Sequence, residues 1–231
     1  MRILSLIGFF IISIMSAQTH RFFYEVKYKS DSSQIEPEKK IMVLDINPQN
    51  IKYYDYTFLE KDSMNIATNS QNTNWTDQIP IVRDKNSWIN TNFVSVDFDY
   101  FKFPTEDKIN WSLQNETKNL LGFQTQKATT NFGGRKWIAW FTREIPFSEG
   151  PYKFQGLPGL IISIQDSKQE YVFNLIKSQN LPITYDTSNI LEIRYGFSPL
   201  LTTESKYIEK ALQHYNDPFY STKQGLMNGT I

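Results

Sequence analysis

The sequence predicts a mainly β protein: a curved antiparallel sheet or incomplete barrel that carries a helix at its C-terminal end. Apolar and polar residues alternate over many short segments, which is the period of a half-buried strand. Aromatic residues are abundant, with 17 Phe, 13 Tyr and 5 Trp among 231 residues, so the chain can bury a large core. Clear helical spacing is confined to one long stretch, residues 202–215.

The first 17 residues have the layout of a secretory signal peptide. A short positive start is followed by the apolar run ILSLIGFFIISI at 3–14 and by small residues that end at Ala17. This run is shorter than the roughly 20 residues that a membrane-spanning helix needs. We therefore expect cleavage between Ala17 and Gln18, export from the cytoplasm, and a single domain over 18–231.

Charge and cysteine content exclude several functional classes. Lys+Arg and Asp+Glu both number 24, so the chain lacks the positive excess that nucleic-acid-binding proteins carry. Cysteine is absent from the sequence, which excludes disulfides, thiolate metal sites and a cysteine nucleophile. The two histidines, His20 and His214, have no carboxylates at ligand spacing. We expect no cofactor, no metal and no nucleic-acid partner.

Four segments in the first half predict strands. Residues 22–28 alternate between apolar and mostly charged side chains, 41–46 and 51–59 flank an Asn-Pro-Gln-Asn turn, and 93–103 alternates again. Polar residues dominate 60–92, which predicts that this range includes a long surface loop or insertion.

The clearest hairpins lie in the second half. Residues 122–132 and 135–143 predict two strands, and the Gly-Gly pair between them is typical of a hairpin turn. The second of these strands is apolar on both faces, which predicts a central strand covered on both sides. Residues 160–164 and 170–177 predict another hairpin.

Helix is predicted at two places. Thr202 or Thr203 can cap a helix that runs to Tyr215 and stops before an Asp-Pro pair. A shorter candidate covers 116–121.

A Pro-Gly pair introduces the strand that begins at residue 160. Proline presets φ and glycine accepts a positive φ, so the two residues fit the central positions of a type II turn. The turn and the start of the strand comprise Gly156, Leu157, Pro158, Gly159, Leu160 and Ile161.

The residues before this hexapeptide form a wider pattern. They include Gln126-Lys127-Ala128, Gly134-Arg135, Trp137, the block Ala139-Trp140-Phe141-Thr142, Glu144-Ile145-Pro146, Gly150-Pro151 and Phe154. With the hexapeptide, this pattern resembles the GLPGLI family, a group of exported proteins found largely in Bacteroidota. The resemblance is close over 122–176 and looser elsewhere. It implies a signal peptide and a cell-envelope or secreted location, and it implies no reaction, because no activity is established for that family.

The strand 135–143 and the loop after it are the preferred candidates for a binding site. Trp and Tyr beside Arg suit sugars, aromatic groups or the polar ends of lipids, through stacking and cation–π contact. The candidate ligand-binding residues are Arg135, Trp137, Trp140, Phe141, Arg143 and Phe154. In the alternative interpretation, both tryptophans belong to the core and the arginines close the strand ends.

Three functional classes remain open. The preferred hypothesis is a non-catalytic binding or carrier module of the cell envelope or periplasm, whose concave face holds an apolar or amphipathic ligand or a peptide. The second is an interaction subunit of an outer-membrane uptake or secretion system, with an envelope protein as partner and peripheral membrane contact. The third is a carboxylate-based hydrolase. Asp97 and Asp99, predicted on one strand face, are either its paired acids or merely a solvated strand face.

Overall fold

The structure, a computed structural model, describes residues 18–31, 33–72, 78–97, 99–196 and 198–227. The predicted signal peptide, 1–17, lies outside the described residues, as does Phe98 of the predicted strand 93–103. The fold class is confirmed: the described chain is mostly β, with one sheet and a C-terminal helix.

Twelve strands of the described chain form this sheet. They are β1 (Thr19–Tyr28), β2 (Glu38–Ile46), β3 (Asn50–Asp55), β4 (Ile81–Asp84), β5 (Ile89–Val96), β6 (Asp99–Glu106), β7 (Ser112–Leu120), β8 (Phe123–Phe132), β9 (Arg135–Thr142), β10 (Leu160–Asp166), β11 (Tyr171–Leu181) and β12 (Leu200–Leu201). The helices are α1 (Thr57–Thr68), α2 (Glu204–Asn216) and α3 (Tyr220–Met227), and short helical turns cover Ser188–Glu192 and Arg194–Gly196.

The sheet consists of two meanders that join through its middle strands. The strand order is β12-β6-β5-β4-β3-β2-β1-β11-β10-β9-β8-β7. Strands β1 and β11 pair antiparallel, with Thr19 opposite Leu181, and so connect the N-terminal meander to the C-terminal one. The described pairs are antiparallel except for the short parallel contact of β12 with β6. Short connections between consecutive strands account for this pattern, since a tight turn joins only antiparallel neighbours.

The sheet curls around the segment 143–159, which we call the strap. The side chain of Gln155 donates to the carbonyl of Ser87 between β4 and β5, at 3.3 Å. The carbonyl of the same residue accepts a hydrogen bond from the indole of Trp111, which precedes β7, at 2.8 Å. In a flat sheet β4 and β7 would stand roughly 38 Å apart, eight strand spacings. One strap residue therefore reaches both because the sheet is strongly curved.

Phe154 is the centre of the core on the concave face. Its side chain is fully buried, with 0% of its surface exposed. Ring centroids between 4.7 and 6.4 Å away belong to Trp111, Phe132, Trp137, Tyr152 and Phe173. The strap thus supplies the ring on which the two meanders pack.

The hexapeptide makes a tighter corner than a type II turn. The N–H of Gly159 donates to the carbonyl of Leu157 at 2.8 Å, and φ of Gly159 is +147°. The N–H of Leu160, which a type II turn would pair with Leu157, donates instead to Ile145 at 3.1 Å. The predicted turn type is wrong, because the carbonyl of Ile145, near the start of the strap, accepts the N–H that would close a type II turn. Leu157 and Leu160 are buried in the core, as a folding role for this corner requires.

The segment 60–92, predicted to include a long surface loop or insertion, contains most of α1, all of β4 and the start of β5. The predicted strand 51–59 ends at Asp55, whose carboxylate accepts the backbone N–H of Thr57 at 2.9 Å. Helix α1 then buries Phe58, Asp62 and Asn65 at helical spacing. Two of these three residues are polar, so apolar periodicity gave no helical signal.

The predicted single strand 93–103 is two strands of a hairpin. Asp97 has φ of +57° and lies in the turn between β5 and β6, while Asp99 begins β6. The prediction that these two acids share a strand face is therefore wrong. Val94 and Phe101 still pack in one cluster, because each strand of the hairpin keeps its own alternation.

The two predicted helices have opposite outcomes. Residues 116–121 are not helical: most of this segment lies in β7, where pairing with β8 overrides local propensity. The terminal helix is confirmed as α2, with the Thr203 hydroxyl accepting the N–H of Lys206 at 3.4 Å. Among the residues that the structure describes, no helix is long and apolar enough to cross a membrane.

Candidate functional site

A cavity of about 640 Å³ opens beside the strap on the concave face of the sheet. Seven aromatic side chains line it: Tyr28, Tyr53, Phe132, Trp137, Tyr152, Tyr171 and Phe173. Val26 and Ile79 add aliphatic surface. Size and lining match the concave, mostly apolar sites that bind small molecules.

The regular alternation of the strands positions these rings. Trp137 lies on the concave face of β9, is 6% exposed, and donates its indole N–H to the carbonyl of Phe132 at 2.9 Å. Tyr28 of β1 is paired in register with Tyr171 of β11, and their rings stack at 6.5 Å. The floor of the cavity therefore comes from strands that belong to different meanders.

Two cations line the cavity, Arg135 and Lys153, and each is ion-paired. Arg135 contacts Asp166 at 2.7 Å and Glu170 at 2.5 Å, and its guanidinium lies over the Tyr171 ring at 4.7 Å. Lys153 of the strap is 3.0 Å from Asp107. Hydrogen bonding to Glu170 is the main reason that the pKa of Arg135 is raised. Both cations are held in place by carboxylates.

Tyr152 is held in a backbone conformation that non-glycine residues rarely adopt. Its φ is +57°, in the left-handed region. Its ring lines the cavity and meets the Tyr53 ring edge-on at 6.4 Å. Burial raises the pKa of Tyr152, so its hydroxyl stays neutral near pH 7. Strain of this kind persists where surrounding contacts fix it, often at a binding site.

A buried polar chain runs from the cavity wall into the protein. Asp107 accepts from the Asn90 amide at 3.0 Å, and Asn90 accepts from Arg83 at 3.0 Å. Arg83 also forms a salt bridge with Glu149 of the strap. Burial raises the pKa of Glu149, and Arg83 partly opposes this shift. The chain fastens the strap to β4 and β5.

The predicted ligand-binding residues divide between three places. Arg135 and Trp137 line the cavity, whereas Phe141 and Phe154 are fully buried in the core next to it. Trp140 lies on the other face of β9, where Lys118 Nζ sits 4.0 Å from its ring centroid. Trp140 is only half-buried, so the prediction that β9 is covered on both sides is wrong.

Arg143 also lies away from the cavity. It is exposed and donates to the side chain of Gln126 at 3.4 Å. Trp137 and Trp140 are three residues apart on β9, so strand alternation predicts their side chains on opposite faces, and the burial of alternate residues of β9 agrees.

Sequence reasoning missed most of the cavity lining. Tyr28, Tyr171 and Phe173 carried a usable signal, since they stand on the apolar faces of predicted strands. Asp107 and Lys153 carried none, because they come from loops and meet only through the curvature of the sheet. Within the described ranges, no group of three His, Asp or Glu side chains could hold a metal ion.

A second depression, of about 740 Å³, lies beside α1. Its lining is mostly polar and includes Asp62, Asn65, Asn69 and Asp186. We take the aromatic cavity as the candidate site, because ligand sites combine a largely apolar wall with a few fixed polar groups.

Comparison with known proteins gives one family match and several structural neighbours. Residues 133–163 match the model of a family described as "Protein of unknown function (Porph_ging)". This segment covers β9, the strap and the start of β10, and contains Arg135, Trp137 and the hexapeptide. No curated protein matches the chain.

Two solved structures of PNGF-II, in space groups P21 and C2, share the fold. Their TM-scores are 0.62 and 0.61, each at 13% sequence identity and each covering 85% of this chain. The chain spans 33% of the length of those proteins. At this identity the likeness establishes the architecture alone. The curved sheet is thus an architecture found in solved proteins, and its strap segment matches a family of unknown function.

Proposed function

We propose that this protein is an exported, non-catalytic binding or carrier module that holds the apolar part of an amphipathic ligand in the aromatic cavity. The observation that carries this proposal is the cavity itself: about 640 Å³, lined by seven rings, beside two fixed ion-paired cations. Rings supply a large contact area at small entropic cost. The paired charges provide polar contacts for a ligand's head group.

Membership of the GLPGLI family is part of this proposal. The segment 133–163 that matches a family model contains the hexapeptide at 156–161. Export and an envelope or periplasmic location follow from the predicted signal peptide, which has a positive start, a short apolar run and small residues before Gln18.

Ligand binding is tested with octyl glucoside, a neutral amphiphile, by calorimetric titration below its micelle concentration. The variant Tyr152→Gly removes one cavity ring and at the same time relieves the positive φ, so the fold is expected to tolerate it. We expect the unsubstituted protein to bind and the variant to bind about tenfold more weakly.

The matched control is Leu121→Gly. Leu121 also has a positive φ, +53°, and is exposed in the β7–β8 turn, at the opposite end of β8 from Phe132. We expect this variant to bind octyl glucoside as the unsubstituted protein does. Two results would overturn the proposal. One is equal weakening of octyl glucoside binding by both variants. The other is no binding of octyl glucoside by the unsubstituted protein together with no lipid in an organic extract of that protein.

A further inference from the structure

The charges around the aromatic cavity are unbalanced. Two cations, Arg135 and Lys153, and two carboxylates, Asp107 and Glu204, line the cavity. Behind the wall, Asp166 and Glu170 are ion-paired with Arg135, so four carboxylates stand against the two cations. Three of these, Asp107, Asp166 and Glu170, form ion pairs with the two cations. Glu204, the fourth, lies on the cavity wall, is exposed, and has no ion pair among the residues that the structure describes. The site therefore has an excess of negative charge.

The rings of the cavity favour the same sign of ligand charge. The face of an aromatic ring carries negative electrostatic potential and attracts cations. Both wall cations use this attraction, since Arg135 lies over Tyr171 at 4.7 Å and Lys153 over Tyr152 at 5.7 Å. Burial keeps the hydroxyls of Tyr53 and Tyr152 protonated by raising their pKa, so these rings remain neutral. Besides Tyr152 and Tyr171, five further rings line the cavity: Tyr28, Tyr53, Phe132, Trp137 and Phe173.

An anionic head group meets the opposite conditions. It would need a cation with unused charge, and each wall cation is already neutralised, Arg135 by two carboxylates and Lys153 by one. Thr105 also accepts from Lys153 at 3.0 Å, which occupies a further donor position. An incoming carboxylate or phosphate would therefore lie beside the Asp107 and Glu204 carboxylates, and both lining cations are already ion-paired.

From this arrangement we propose that the ligand is a cationic amphiphile, whose apolar part enters the ring-lined cavity and whose ammonium-type head group lies at the wall formed by Tyr152 and Glu204. This inference rests on the proposed function, because it names the ligand class of the same cavity. Glu204 starts α2, so the C-terminal helix supplies part of the specificity of a site otherwise built by the sheet and the strap.

The test compares three ligands that share one apolar chain: octyltrimethylammonium, octyl glucoside and octyl sulfate, each titrated calorimetrically below its micelle concentration. We expect the cation to bind about tenfold or more tightly than the anion, with the neutral glucoside between them. The preference should shrink as salt is raised, because exposed charges such as Glu204 are screened.

A charge-matched pair of variants locates the effect. Glu204→Gln removes the carboxylate at the cavity, and Glu209→Gln removes an exposed carboxylate of the same helix that does not line it. We expect only Glu204→Gln to reduce the preference for the cation, by several-fold, with octyl glucoside binding unchanged.

Two results separate the two proposals. If octyl glucoside binds while octyl sulfate equals or exceeds the ammonium compound, the cationic ligand class is wrong and the binding function stands. If the two glutamate variants lower the preference equally, the cationic site is likewise overturned. If none of the three amphiphiles binds, the cationic ligand class is overturned, and the binding function fails with it when the organic extract of the protein also contains no lipid.

Discussion

A single residue of the strap, Gly159, determines how closely the strap backbone approaches the end of β9. A Cβ at this position would lie 1.9 Å from the carbonyl oxygen of Thr142. Its φ of +147° is also outside the range of other residues. The glycine allows the strap to turn directly against the end of β9 and enter β10 through the core. The second glycine of the hexapeptide is therefore required by backbone contact as well as by φ.

Replacement of Gly159 by alanine is expected to lower the free energy of unfolding by about 3 kcal/mol, from steric overlap and φ strain together. The control is Gly134→Ala in the β8–β9 hairpin, where φ is +73° and no atom lies within 4 Å of the added Cβ. That variant should lose only about 1 kcal/mol, from φ alone. Urea unfolding followed by tryptophan fluorescence measures both, and equal losses would contradict the role assigned to Thr142.

Contacts between elements explain why the strap stays on the concave face. Glu149 and Phe154 attach it at two points, by a buried ion pair to β4 and by ring packing against β9 and β11. The ion pair contains Arg83, whose side chain is 2% exposed. Burial of both partners costs desolvation energy, which their attraction and the hydrogen bond from Arg83 to Asn90 offset. We therefore expect the Arg83–Glu149 pair to fix the position of the strap more than to stabilise the fold.

Removal of one partner of the Arg83–Glu149 ion pair should lower stability strongly. Arg83→Met leaves Glu149 buried without its cation, and we expect the free energy of unfolding at pH 7 to fall by about 3–5 kcal/mol. The double variant Arg83→Met, Glu149→Leu removes both charges and should recover most of that loss.

The control for this prediction is an exposed ion pair, Lys108–Glu106, whose side chains are 66% and 57% exposed. Lys108→Met should change stability by less than about 1 kcal/mol. Urea unfolding of the four proteins checks the set. A loss in Arg83→Met no greater than that in Lys108→Met would show that the buried pair does not hold the strap.

At the scale of the whole molecule, the two meanders form one cavity because the sheet curls until residues of both meanders contact the strap. Tyr53 comes from the N-terminal meander, Trp137 from the C-terminal one, and Tyr152 from the strap. The site is therefore a product of the complete fold, and neither meander could form it alone. Helix α2 closes one side through Glu204 and packs Tyr207 on Phe103 of β6, with 5.1 Å between ring centroids.

Export is the prediction that concerns the whole chain. Expressed with its first 17 residues in a bacterium that secretes proteins, the protein should be recovered outside the cytoplasm with Gln18 at its N-terminus. Intact-mass measurement and N-terminal sequencing distinguish this product from the full chain. Recovery of Met1 on a cytoplasmic protein would contradict the prediction. The control is Gly8→Lys, which puts a charge into the apolar run and should keep the protein inside the cell.

The local pattern of the sequence determined most of the strands. Period-two alternation predicts β1 and β11, apolar runs next to turn residues predict β2 and β10, the Gly-Gly pair predicts the β8–β9 hairpin, and a capped apolar stripe predicts α2. These elements are predictable because their signals depend on neighbours along the chain. Helix α1 was missed, since its buried side includes Asp62 and Asn65.

Tertiary structure alone decided the site. Trp137 was found from sequence, but Tyr53, Tyr152, Asp107 and Lys153 join it only because the sheet curls. The sequence separates Tyr53 and Asp107 from Trp137 by tens of positions, and no local pattern records the curvature that brings them together. Strand identity is a local property of side-chain alternation, whereas a cavity depends on where distant backbone segments meet.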